Sequence, residues 1–387
     1  MSDALRFGAV ILAAGLSSRI SGFKPLLPLG GKTLLGRAAD LFRRVGAAEI
    51  VAVAGHRAGE VRSEAARLGL TVAHNPDFEQ GMLGSAQAGL KALPQGLEAV
   101  FVLPVDTPLV RPATLGLMIE RFERLPHGAV EVLVPYFRGE PGHPPLLGPA
   151  AVERVLAAPA GSSLRDVLAD LSQDRVETID AGILFDVDTD ADYTRALHLW
   201  KRRGSLTVAE ALALLEMRDV GERGLAHARA VTRVALLLAR ALLRNASRLN
   251  LPLLEAAGLL HDICKASPRH EAEGGRLLTE LGFPKVGRIV AAHRDVDPDR
   301  EGRMGELELV YLADKLVRGP VLIGLEARFQ EKLDHYDGDA EAQAAISRRR
   351  DNARAMLARF EAESGQSLDE VLARAGLAQG QACDPEA

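Results

Sequence analysis

The sequence predicts two domains of different class: an α/β domain over residues 1–200, with a mostly parallel sheet and helices on both faces, followed by an all-α helical domain over 207–325. Three observations carry this. The chain has 387 residues, more than one hydrophobic core usually organises. From Phe7 to Trp200, short β-branched runs alternate with amphipathic helical stretches, the pattern of a parallel sheet with crossover helices. Beyond the charged, Gly/Ser-containing segment KRRGSLT at 201–207, strand signals vanish.

In chain order, strands are expected at 9–12, 50–53, 99–103 and 132–134, with helices at 33–44, 57–68 and 112–124 among them. Residues 201–206 read as a linker. Helical periodicity then recurs at 208–216, 225–244, 253–264, 271–281, 286–292 and 307–317, the pattern of a bundle whose sites lie among facing helices. A helical extension is expected over 326–375, most clearly at 340–375, and a disordered tail over 376–387, frayed from Gln379. No internal repeat is visible.

Composition narrows the function classes. Hydrophobic residues make up 47% and charged residues 26%, an ordinary globular balance. A net charge of −5 and an aromatic content of 4% argue against a nucleic-acid binder, which needs a basic face and stacking platforms. Small anionic substrates remain compatible, because local clusters decide those. The two cysteines, Cys264 and Cys383, imply no disulfide framework and fit a reducing cytoplasm. The apolar run near the start is too short for a membrane span and lacks the basic flank and cleavage pattern of a signal peptide. It reads as the first strand.

Directly after that strand comes Ala13-Ala14-Gly15-Leu16-Ser17-Ser18-Arg19, with Lys24 shortly beyond. A small-residue loop leaving the carboxyl end of a strand can aim backbone N–H groups at phosphates, and Arg19 and Lys24 would supply cations against a triphosphate. Neither the Walker spacing nor G-x-G-x-x-G is present. On spacing alone a glycine turn satisfies the pattern as well as a phosphate cradle does. The second element, Pro104-Val105-Asp106-Thr107-Pro108, follows the strand at 99–103. Asp106 there serves either as a turn former or cap, or as a ligand for Mg²⁺ bridging to phosphate, and its place at the same sheet edge as the loop favours the ligand. Asp186-Val187-Asp188-Thr189 offers further carboxylates, both on one face if the segment is extended, with Asp188 alternatively capping the next helix.

LAAG-LSSR with Lys24 and Pro25, then PVDTP, then Gly142-His143-Pro144, then DVDT before a final helix, resembles the MobA-like nucleotidyltransferases that attach CMP or GMP to molybdopterin, over roughly the first 195 residues. LAAG at Ala13-Ala14-Gly15 is similar to the cytidylyltransferase branch. The resemblance implies a Rossmann-like nucleotidyltransferase fold, an NTP substrate with CTP favoured, and a phosphorylated acceptor such as molybdopterin. It implies that Ala13, Ala14, Gly15, Ser18, Arg19 and Lys24 hold the nucleotide and that Asp106, with Asp186 or Asp188, positions Mg²⁺. In the stretch at 75–90, Gly81 and Ser85 match best where the family contacts base and acceptor. Ser21 stands where the family has a glycine able to adopt unusual backbone angles, which puts phosphate approach there in question.

The helical half contains His227, His261-Asp262, His270, His293 and Asp314. His227 shares a stripe with Val231, Val234 and Leu238; His293 follows Ile289 and Val290; Asp314 sits with Val310, Tyr311 and Val317. These polar groups are expected to point into the core. A buried, unpaired carboxylate costs on the order of several kcal/mol, which a bound divalent metal offsets and neutral histidines do not. Mixed His and Asp ligands suit Mn²⁺, Fe²⁺ or Zn²⁺, and such a centre activates water toward a phosphate ester or anhydride. The order of these residues, with LLHDICK and YLADKL, resembles the HD phosphohydrolase superfamily over residues 207–320. His270, in HEAEGGRLL, and His293 extend the resemblance to HD hydrolases with two-metal sites, including those that split dinucleoside tetraphosphates; His270 has no supporting apolar stripe, and without it one metal is expected. Lys265 either meets substrate phosphate or is solvated.

Both halves therefore read as catalytic: nucleotidyl transfer in the first, with hydrolysis of a phosphorylated or nucleotide substrate in the second. Two alternatives keep their place: transfer to another acceptor, such as a sugar or alcohol phosphate, and a helical domain that senses nucleotide or metal without turnover. No nucleic-acid or membrane partner is expected, and oligomeric state is not legible.

Overall fold

The structure is a computed structural model that describes residues 5–126, 128–244, 248–299 and 301–383. The chain separates into two compact units, Met1–Lys201 and Arg202–Ala387. Among the described residues no helix is long and apolar enough to cross a membrane.

The first unit begins with β1 (Phe7–Ala13), an apolar run buried along its whole length. It continues through β2 (Pro28–Leu29), β3 (Lys32–Thr33), α1 (Leu34–Arg44), β4 (Glu49–Ala54), α2 (Ala58–Leu68), β5 (Thr71–His74), α3 (Met82–Ala92) and β6 (Ala99–Pro104). Then come α4 (Pro112–Arg124), β7 (Val132–Phe137), β8 (Glu140–Pro141), β9 (Leu146–Leu147), α5 (Pro149–Ala157), α6 (Leu164–Ala169), β10 (Gln173–Glu177) and α7 (Asp190–Lys201). The main sheet runs β10-β7-β9-β6-β1-β4-β5, with β8 paired to β7. It is mostly parallel; β9 enters antiparallel between β6 and β7.

The four expected strands are present. β5 and β10 escaped the sequence reading because they lie at the sheet edges, where TVAH and QDRVE bury few side chains. Thr33, read as helical, instead caps α1 by accepting from the Gly36 N–H at 2.9 Å. Helices α1 and α4 pack on each other, and Phe42 of α1 meets Phe101 of β6, which stacks edge-on with Phe7; α3 and α5 pack together against Val10, Val53 and Val102. Close approach of α3 depends on Gly89, where a Cβ would lie 2.3 Å from Val10 Cγ1 and 2.8 Å from Val53 Cγ2. This contact carries the amino end of α3 toward the carboxyl ends of β1 and β6. In an open α/β sheet that crevice is where ligands bind.

The second unit contains α8 (Val208–Met217), opened by a Thr207–Glu210 capping box, then α9 (Glu222–Leu243), α10 (Leu251–Leu260), α11 (His270–Glu280), α12 (Pro284–Ala292) and α13 (Glu306–Leu316). A short hairpin of β11 (Val317–Arg318) and β12 (Val321–Leu322) leads to α14 (Leu325–His335), α15 (Ala340–Ser364) and α16 (Leu368–Arg374). α9 packs against α10, α13, α15 and α16.

Two expectations are corrected. The helix expected through Cys264 ends at Leu260, because His261 Nδ1 takes the Gly258 carbonyl at 2.7 Å, the acceptor that a continuing helix would offer to Asp262. The tail expected to fray is paired as far as Cys383: Gly380 N–H donates to Leu322 O at 2.7 Å, Leu322 N–H to Gln381 O at 2.9 Å, and Cys383 N–H to Pro320 O at 2.6 Å, with Cys383 buried. The hairpin edge offered unpaired backbone groups, and the tail satisfies them. The last part of the expected tail, 384–387, lies outside the described residues.

Candidate active sites

At the carboxyl ends of β1 and β6, a cavity of about 310 Å³ is lined by Ala14, Gly15, Ser17, Ser18, Arg19, Lys24, Gly81, Ser85, Asp106 and Asp188, with Leu16, Phe78 and Met82 as apolar wall. Lys24 joins the two acidic segments. Its ammonium donates to Asp106 Oδ2 at 2.8 Å and to Asp188 Oδ1 at 2.7 Å, and Arg19 lies 2.9 Å from Asp188 Oδ2. Burial opposes the ammonium most, but the two carboxylates outweigh it and raise the Lys24 pKa above its ordinary value. Lys24, in turn, holds the Asp188 carboxyl below the usual range.

The loop is held open by local chemistry. Ser17 sits at φ 56° in the left-handed region, unusual without glycine, and its hydroxyl accepts from the Lys24 N–H at 3.1 Å. Ser21, by contrast, does not have a positive φ, so the serine-for-glycine exchange brings no strain; its hydroxyl donates to Asp190. Asp188 is free of capping duty because Thr189 and Asp192 cap α7 reciprocally, at 3.0 and 3.2 Å. Asp186 and Ala13 are not among the cavity-lining residues: Asp186 accepts from the Thr107 hydroxyl at 2.8 Å, while Ala13 closes β1 within the sheet. Ser85 is buried and accepts from Asn75 Nδ2 at 3.0 Å. The apolar wall of Leu16, Phe78 and Met82 was missed by the sequence reading, since nothing in their spacing separates a cavity wall from a core. Two carboxylates bridged by a single ammonium fit Mg²⁺, which takes few carboxylates and completes its shell with phosphate oxygens and water.

In the second unit, six expected ligands from separate helices and turns converge. His227 Nε2 lies 3.3 Å from Asp314 Oδ1 and 3.9 Å from Asp262 Oδ2; His261 Nε2 lies 3.5 Å from Asp262 Oδ2. On the other side of the same carboxylate, Asp262 Oδ1 lies 3.5 Å from His270 Nε2 and 3.7 Å from His293 Nε2. Two donor groups result, His227–His261–Asp262 and Asp262–His270–His293, each with its ligand atoms within 4.8 Å of one another.

Three of the histidines have their tautomer set by backbone. His261 Nδ1 bonds Gly258 O at 2.7 Å, His293 Nδ1 bonds Val290 O at 2.7 Å, and His227 Nδ1 bonds Gly319 O at 3.2 Å. A carbonyl only accepts, so each Nδ1 carries a proton and each Nε2 faces inward. Burial drives the His261 pKa down to about 4, which keeps that ring neutral near pH 7. Burial works against ionisation of Asp262 and Asp314, yet the hydrogen bond to His293 and the Lys265 charge at the first, and Lys315, the hydrogen bond to His227 and Arg328 at the second, hold both carboxyls well below the usual range. His261 Nε2 and Asp262 Oδ1 are buried without a hydrogen-bond partner. Such orphaned donor atoms need a cation, and the mixed imidazole and carboxylate set fits divalent metal.

Lys265 pairs with Asp262 at 2.8 Å while two-thirds exposed. The sequence reading missed Glu271, 3.3 Å from His270, although it is the next residue in HEAEGG. It also missed Arg328, 3.5 Å from Asp314, which α14 supplies from a stretch with no distinguishing pattern.

Residues 9–176 match the family model of the MobA-like NTP transferase domain, and 224–319 match that of the HD domain. The molybdenum cofactor cytidylyltransferase of Escherichia coli (strain K12) is 30% identical over 188 residues, 48% of this chain and 93% of that protein. The bifunctional protein GlmU of Corynebacterium aurimucosum is 30% identical over 238 residues, and the chain spans only 46% of its length. The solved structure of Rv0371c from Mycobacterium tuberculosis H37Rv is similar over 50% of this chain and 98% of that one, at 25% identity and a TM-score of 0.44.

Proposed function

Because the chain belongs to the MobA-like NTP transferase family and carries an HD domain behind that unit, we propose that it is a bifunctional enzyme. The first unit transfers a cytidylyl group from CTP to the phosphate of molybdopterin, and the second hydrolyses a phosphate ester or nucleotide. The observation that carries the first half is Lys24 bridging Asp106 and Asp188 at the edge where the Gly15 loop lines the cavity. Supporting the nucleotide choice are Ala13-Ala14-Gly15 and the likeness to a cytidylyltransferase.

An acceptor phosphate oxygen bonds to the α-phosphorus as the bond to the β-phosphate bridging oxygen breaks, and pyrophosphate departs with that electron pair. Negative charge grows on the leaving group, and Lys24 and Arg19, which line the cavity, would neutralise it; positioning and charge, with no nucleophilic side chain, suffice for such a transfer. Asp106 and Asp188 would hold Mg²⁺, which would supply further positive charge against the phosphates. Asp186 then has a supporting role through Thr107.

In the second unit Asp262 is common to both donor groups, which favours two divalent ions of the Mn²⁺, Fe²⁺ or Zn²⁺ kind. When bound, they acidify water and draw charge from a phosphoryl oxygen. Lys265 and Arg294, both largely exposed beside the centre, suit an anionic substrate such as a nucleotide polyphosphate. Two free cysteines agree with work in a reducing cytoplasm.

The test is pyrophosphate release from each of the four ribonucleotides with Mg²⁺, with and without molybdopterin, beside an Asp106→Ala control. CTP-selective, acceptor-dependent release that the control loses supports the proposal. Release that needs a sugar or alcohol phosphate instead replaces the acceptor, and no release with any nucleotide overturns the transferase reading. For the second unit, an Asp262→Ala protein as active as wild type on phosphate esters and nucleotides overturns the hydrolase reading.

A further inference from the structure

A cavity of about 760 Å³ within residues 208–375 contains none of the candidate metal ligands. Five arginines line it, Arg229, Arg233 and Arg240 from α9, Arg244 at the α9 C-cap and Arg374 from α16, against one carboxylate, Glu255. That carboxylate already faces Arg202 at 3.8 Å. Among the described residues no carboxylate pairs with the three α9 arginines or with Arg244. They recur at four-residue spacing in two pairs, so each guanidinium repels a like charge one turn away, a cost to the helix that a bound anion relieves.

The floor is apolar. Leu212, Leu237, Leu259 and Val371 line it from α8, α9, α10 and α16, and the α9 leucines separate Arg233 from Arg240 by roughly 10 Å along the axis. A merely solvated basic face needs no such concavity. Guanidinium forks match phosphate oxygens, an apolar floor takes a flat ring, and the volume lies in the range of ligand pockets, roughly 300–1,000 Å³. We infer that this cavity binds an organic polyphosphate of nucleotide size, phosphates on the α9 arginines and apolar part on the leucine floor.

The cavity shares structure with the metal-ligand cluster. His227 lies two residues before Arg229 on α9, and the lining residue Thr232 packs on Gly258, where a Cβ would fall 2.7 Å from Thr232 Oγ1. The Gly258 carbonyl is the one that holds His261 Nδ1. A ligand seated here braces α9 against α10 and, with them, two histidines of the candidate metal centre, while its own binding needs no metal. The inference stands independently of the activities proposed above.

The probe is N-methylanthraniloyl-ATP, titrated by fluorescence in EDTA into the full chain carrying Lys24→Ala to weaken binding in the first unit. Saturable binding is expected, displaced by ATP and by inorganic tripolyphosphate but not by adenosine, and weakened at least tenfold by Arg233→Glu with Arg240→Glu. Arg240→Gln, which removes charge without reversing it, gives a smaller loss of at least threefold and serves where the double variant melts early. The inference is overturned by affinity that neither variant changes, by adenosine competing as well as ATP, or by no saturable binding.

Discussion

Replacing Lys24 with alanine removes the cation that joins Asp106 to Asp188. Its ammonium makes two charge-assisted hydrogen bonds, at 2.8 and 2.7 Å. Each such bond is worth about 1.5–3 kcal/mol. The Asp106 and Asp188 side chains are 25% and 35% exposed, so solvent screening moves both toward the lower end. About 2–3 kcal/mol remains for the pair. If the triphosphate draws on that interaction as charge grows on the leaving group, kcat/KM for CTP falls about 30- to 160-fold. The same substitution frees two carboxylates from a competing cation, so the Mg²⁺ concentration for half-maximal rate should fall rather than rise. Initial rates of pyrophosphate release, measured across a grid of CTP and Mg²⁺ at saturating acceptor, separate the two effects. A kcat/KM within threefold of wild type, or a raised Mg²⁺ requirement, refutes the assignment of Lys24 to both phosphate and carboxylates.

Asp262→Asn keeps the side-chain shape but removes the shared carboxylate; metal content measured by mass spectrometry should fall by more than half and phosphohydrolase rate by more than about 100-fold, with pyrophosphate release unchanged. Acid should destabilise the metal-free second unit in two stages. The folded His261 pKa is about 4 against 6.5 for the free side chain, so the folded state binds fewer protons between those values and stability present above pH 6.5 is lost as pH falls toward 4. That loss amounts to about 3 kcal/mol; Asp262 and Asp314, held below the usual carboxyl range, add to it below about pH 3.8. Thermal melts in EDTA from pH 7 to 2 check both stages, and a flat profile between pH 7 and 4 counts against a buried neutral His261. Gly89→Ala places a Cβ 2.3 Å from Val10 Cγ1, and overpacking of this kind costs about 1–3 kcal/mol. Calorimetry should show the first unit melting several degrees lower; an unchanged transition would mean that α3 moves off the sheet without penalty.

Much of both folds was legible because burial imposes a period. β1 and β6 are apolar end to end, and the stripe of His227 with Val231, Val234 and Leu238 by itself turns that histidine inward. Edge strands β5 and β10 were not legible, since a half-exposed strand has no apolar run to display. The candidate sites divide in the same way. Asp106 and Asp262 stand in contiguous motifs at element ends, where local pattern and chemistry coincide. Arg328, Glu255 and the paired tail enter through contacts between segments remote in sequence, and composition carries no trace of them.

Taken alone, the sequence determined the two-domain division, the sheet-then-helix order and the residues that gather in the two candidate sites, because hydrophobic period and motif spacing are local properties of the chain. Only the tertiary structure decided that Asp188 rather than Asp186 meets Lys24, that Asp262 stands between two histidine groups, and that five arginines share an apolar cavity. Each of those facts is a distance of a few ångströms between side chains on different elements. Such distances depend on how helices and strands pack, and packing is set by the shapes of many side chains at once.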